Sequence, residues 1–156
     1  MTSTVTQKPT RALDRVREVL DRGQVAEALE FIQDSGQRSP GLENARGVCL
    51  LRLGRNDHAA ALFRDLVFPS GSFSIPPETP TVFRVNYVLA LLKVRNVMMA
   101  RTILKEIPDQ KHPAVAKVRA ALDRWKKGLG LLRRLLLLVG VYPDAPVTLD
   151  APIGEL

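Results

Sequence analysis

The side chains that most often do chemistry are scarce in this chain: two histidines, His58 and His112, and one cysteine, Cys49. Covalent catalysis needs a nucleophile beside a base, acid–base catalysis needs a matched pair, and a metal needs clustered Cys, His or carboxylates. The sequence offers none of these spacings. His58 falls at the start of an amphipathic run and His112 directly precedes Pro113, positions that suit helix capping or a solvated role. Cys49 lies in "GVCLLRL", where a small, buried packing residue is expected. "GLGLLR" has neither the spacing nor the preceding strand of a phosphate-binding loop. Met98 and Met99 read as core filler. The expectation is a non-enzymatic chain with no cofactor and no metal site.

The elements that would position any functional surface are helices. The chain has 156 residues, about one domain, and its aromatic content of 5% disfavours a sheet. Leu13, Val16, Val19 and Leu20 recur at helical steps before "DRGQ", and Val25, Ala28, Leu29 and Ile32 recur after it. "LENARGVCLLRLG" stops at Gly54, and "NDHAAALFRDLV" resumes with Asn56 or Asp57 as the expected N-cap. Residues 68–80 hold a proline-, serine- and glycine-rich loop. "VFRVNYVLALLKV", a break at Arg95-Asn96, and "VMMARTILKEI" make a third pair, and Pro113 opens a further helix. The expected fold class is all-α, built from antiparallel helical hairpins. Residues 1–8 read as a frayed tail and 9–127 as the helical domain.

The net charge of +7 is unevenly placed. Residues 101–140 carry ten Lys/Arg against three acids, so the rest of the chain is neutral. Such a block draws phosphate-rich surfaces or acidic partners, or forms the solvated side of a helix. Within it, Val115, Val118, Leu122, Trp125, Leu129, Leu132, Leu136 and Val139 fit one helical stripe, with Gly128 and Gly130 favouring a bend or break in its middle. Residues 128–140 form a leucine-rich basic helix in which only Arg133 and Arg134 mark a polar side, leaving Leu135 and Leu138 on an interaction surface. The run is too short and too charged to span a bilayer. Packing on its own domain, on a partner or second copy, or in a membrane interface all remain open.

Residues 141–156 contain Pro143, Pro146 and Pro152, each of which extends the residue before it. The tail is either disordered or docked on the domain through Tyr142, Val147, Leu149 and Ile153. The start of the chain lacks the apolar core of a secretory signal, so the expected compartment is cytoplasmic.

The repeating hairpin resembles the tetratricopeptide repeat. In "GVCLLRLGRNDHAAALFRDLV", Gly47 stands at the small position of the first helix, Leu50 at the bulky one and Gly54 at the turn; Ala59 and Phe63 stand at the packing positions of the second helix. Leu20, Gly23, Ala28, Ile32 and Pro40 form an earlier copy. Leu91, Ala100 and Leu104 form a later one, with Arg95 at the turn and Val88 at the small position. The resemblance implies a short α-solenoid closed by a C-terminal capping helix, with the first helices lining a concave groove. In that register the groove residues are Arg17 and Asp21, then Asn44, Val48 and Arg52, then Asn86, Leu89 and Lys93. Asparagine can grip a peptide backbone through both its donor and its acceptor, and the cations suit an acidic group. The implied function is a protein–protein interaction scaffold for a peptide or partner protein, with a homo-oligomer open. The alternatives are a peripheral membrane-associated adaptor and, less favoured by the placement of charge, an RNA-binding repeat protein.

Overall fold

A computed structural model describes residues 8–69, 72, 74–150 and 152–156. The residues read as a frayed N-terminal tail lie outside this set, except Lys8, which is already helical. Eight helices follow in order: α1 (Lys8–Asp21), α2 (Val25–Asp34), α3 (Pro40–Arg52), α4 (Asn56–Val67), α5 (Thr81–Lys93), α6 (Val97–Glu106), α7 (Pro113–Gly128) and α8 (Leu131–Leu138). The fold is all-α, and no strand occurs among the described residues.

The outer helices bury one stripe each, as amphipathic spacing requires. The stripe is Val16, Val19 and Leu20 in α1, Ala28, Leu29 and Ile32 in α2, Ala59, Phe63 and Val67 in α4, and Val97, Ala100, Ile103 and Leu104 in α6. Met98 and Met99 point the other way and are exposed, which corrects their reading as core filler. The face of α6 is filled by its smaller and branched residues, leaving these two on the opposite arc. The central helices differ. Every residue of α5 from 84 to 92 is buried, and α3 buries eight of its thirteen. A helix buried all round needs neighbours on every side. In contact order, α1 meets α3, α3 meets α5 and α5 meets α7, while α2 lies against α1 and α3, and α4 against α3 and α5.

Three of the interhelical turns share one geometry. The second residue of each turn has a positive φ: +77° at Gly23, +74° at Gly54 and +62° at Arg95. Its N–H donates three residues back, to Leu20, Leu51 or Leu92, at 3.0–3.2 Å. The next N–H donates five residues back, to Val19, Leu50 or Leu91, at 2.8–3.1 Å. This paired closure satisfies the last carbonyls of a helix and favours glycine, so Arg95 adopts it at a modest steric cost. The turn carries the chain straight into the next helix. For that reason α4 begins at Asn56 with Arg55 at its cap and no side-chain cap bond, not with Asn56 or Asp57 as the cap. The two faces of the second hairpin meet at Gly47, where an added Cβ would overlap the Phe63 ring.

The loop between α4 and α5 is held by a side chain whose role the sequence did not reveal. Arg84 is buried, and its guanidinium donates to the carbonyls of Pro76, Pro77, Thr79 and Glu106. Prolines lack an N–H, and here the carbonyls of two of them help solvate a buried cation.

At the C-terminal end the expected stripe divides. α7 buries Val115 and Val118 and packs on α5; Leu122 and Trp125 are half-buried and Leu129 is buried. Leu129 and Gly130 are extended, with ψ of 139° and 160°, so the helix stops and α8 starts in a new direction. Leu132, Leu136 and Val139 therefore leave the stripe and face outward. No described helix is long and apolar enough to cross a membrane.

Candidate peptide-binding face

Residues 141–150 and 152–156 lie along α7, α5 and α3 without helix or strand. Alternation is clear in the middle of the segment: Val147 is buried and Leu149 half-buried, while Pro146, Thr148 and Asp150 are exposed. Two-residue periodicity is the mark of an extended chain with one face down. Tyr142, Leu149, Ile153 and Leu156 add partly buried contacts to the core.

An extended strand exposes its own N–H and C=O groups, and burying them without partners is costly. Here side chains of the helices supply the partners. Asn86 accepts from the Glu155 N–H at 3.0 Å through Oδ1 and donates to the Glu155 carbonyl at 2.7 Å through Nδ2. Asn44 donates to the same carbonyl at 3.1 Å, and its Oδ1 accepts from Asn86 Nδ2 at 2.8 Å. Arg52 donates from Nε to the Ile153 carbonyl at 3.0 Å and from its terminal nitrogen to the Gly154 carbonyl at 3.2 Å. Asn44 and Asn86 are 2% and 0% exposed, so they are not residues of an ordinary polar face. The two amides sit on the central helices, where apolar surroundings strengthen such bonds and penalise their loss.

Gly154 is buried against Val48 and has φ +83°; an added Cβ would stand 3.0–3.1 Å from the Val48 methyls. Both the backbone and the space select glycine there. Leu89 and Val85 line a cavity of about 60 Å³ that remains between the tail and α7.

All three acids of the tail are paired. Asp144 meets Arg95 at 2.9 Å, Asp150 meets Arg124 at 2.8 Å and Glu155 meets Lys117 at 3.2 Å. Arg101 donates to the Tyr142 hydroxyl, and the Trp125 indole N–H donates to the Ala145 carbonyl at 3.0 Å. Each ion pair is exposed and individually weak. Together they set the direction of the tail along the basic third of the chain.

The structure thus brings Asn44, Val48, Arg52, Asn86 and Leu89 onto one occupied face. It does not bring the other candidates there. Arg17 pairs with Asp14 on its own helix, Asp21 is exposed, and Lys93 is half-buried near the end of α5. Sequence reasoning missed Lys117, Arg124 and Trp125 as tail contacts. Their signal was the excess of cations in α7 beside a tail that carries three acids, which becomes specific only when both are placed.

Burial pushes the Cys49 thiol up to about 11, so it stays protonated at neutral pH. His112 caps α7, its Nδ1 accepting from the Ala114 N–H at 3.2 Å, and His58 is exposed. No group of three or more potential metal ligands occurs among the described residues. No protein-family model, curated protein or solved structure matches the chain.

Proposed function

We propose that this protein is a non-enzymatic interaction module, a short tetratricopeptide-like α-solenoid whose first-helix face takes an extended peptide segment of a partner protein. The single observation that carries the reading is the grip of Asn44, Asn86 and Arg52 on the backbone of residues 153–155. Backbone recognition of this kind is independent of most of the ligand's side chains, as in other modes of extended-peptide capture. Three equivalent turns and the serial packing of α1, α3, α5 and α7 support the solenoid. The protein's own tail stands where a partner segment would lie. Its pattern describes the ligand: extended, with an aliphatic residue, a glycine of positive φ over Val48, and an acid reaching Lys117.

A tethered tail competes at millimolar effective concentration, on the order expected for a short connection. A labelled peptide of residues 141–156 is therefore expected to bind the unaltered chain weakly. Gly154→Val keeps every other residue but loosens the protein's own tail, and should raise affinity for the free peptide at least tenfold. The blue or red shift of Trp125, the only tryptophan, reports release of the tail in the same sample. Equal affinity in both proteins despite tail release, or affinity unchanged when Arg52→Ala is added, would overturn the reading.

A further inference from the structure

α8 stands apart from every other helix in having no buried residue. Leu131 and Leu138 are each 80% exposed, and Leu132, Leu135 and Val139 are exposed beside them. At 100° per residue these side chains share one broad arc. Arg133 lies on the opposite side and Arg134 at the edge of the arc beside Leu138, one on either side of the half-buried Leu137, and Arg134 donates back to the Lys127 carbonyl. The helix departs from a normal surface helix: its leucines face solvent, and Arg133 and Arg134 are exposed as well. Both ends are fixed, one by buried Leu129 and the other by Tyr142 on Arg101. A contiguous apolar patch presented in this way marks a docking surface.

We infer that α8 docks in the plane of a membrane surface bearing anionic lipids. The charge around it decides between occupants. No acid occurs between Arg124 and Pro143, whereas Lys126, Lys127, Arg133 and Arg134 do, and none of these four has a carboxylate partner among the described residues. A second copy brings the same acid-free segment to this surface and so offers these four cations no carboxylate there. Anionic headgroups supply the missing charge at the rim while the acyl boundary accepts the leucines, the arrangement of an interfacial amphipathic helix. The exposed leucines are distinct from Asn44, Asn86 and Arg52, so either surface can fail without the other.

The test is co-sedimentation of the full chain with phosphatidylcholine vesicles, with and without phosphatidylserine. Binding is expected only with phosphatidylserine, and weaker as salt rises. A chain with Leu131→Gln, Leu135→Gln and Leu138→Gln should stay folded, because these side chains are already in solvent, and should lose binding. Arg133→Gln with Arg134→Gln should weaken it by about fivefold per charge. The inference is overturned by no sedimentation with either vesicle, by equal sedimentation with both, or by binding that survives the leucine changes. It is also overturned if the full chain in solution is a dimer that the leucine changes dissolve.

Discussion

Residues 141–156 and α8 adjoin in the chain and are both rich in aliphatic side chains, yet one is held against the helices and the other is presented to solvent. The difference lies in the backbone. α8 closes its own hydrogen bonds along the helix, so it can stand away from the domain without leaving polar groups unpaired. The extended tail cannot do this. It stays down because Asn44, Asn86 and Arg52 answer its N–H and C=O groups while Val147, Leu149 and Ile153 cover apolar surface. Aliphatic content alone therefore predicts neither burial nor exposure. Helices α7 and α8 repeat the lesson, since one stripe of spacing runs through both and only the α7 part finds a neighbour.

The sharpest way to break this comparison is to remove the backbone grip. Asn86→Ala leaves Asn44 Oδ1 and the Glu155 N–H without the partners they have now, in a site 0% exposed. Loss of about 2–3 kcal/mol is expected, read from the urea midpoint, together with a Trp125 shift as the tail lifts. No change in either would mean that the tail is not held by its backbone. Gly154→Val should come next, at about 1–2 kcal/mol, because it strains the backbone and crowds Val48 without removing a hydrogen bond. The smallest effect belongs to α8. Replacing Leu131, Leu135 and Leu138 together by Gln should move the urea midpoint by no more than about 0.5 kcal/mol in total, as for substitutions on an open surface. A loss on the scale of the Asn86 variant would show that α8 packs on its own domain after all.

Much of this architecture was legible before any coordinates. Periodic apolar residues marked the helices, Gly23 and Gly54 marked two turns, and the register of the second hairpin gave Gly47 a small-residue position and Phe63 a packing position. That same register selected Asn44, Arg52 and Asn86 for a shared face. Arg95 was legible as the odd residue at a glycine position, and it takes the glycine's conformation. A further signal lay in the sequence unused: an asparagine within a helix that is apolar all round must be satisfied by something outside that helix. Arg84 could have been read in the same way.

What the sequence by itself determined, then, was everything that depends on near neighbours along the chain. Helix periodicity, turn closure and the extended form forced by three prolines act over a few residues and need no partner. Only the tertiary structure decided that Asn44 meets Glu155, that Arg52 meets Ile153, and that three tail acids meet Arg95, Lys117 and Arg124. Those pairs join positions far apart in the chain, and their geometry exists only once α3, α5 and α7 are packed side by side. The outward turn of α8 is likewise set by two extended residues at 129 and 130, whose dihedral angles no hydrophobic pattern encodes.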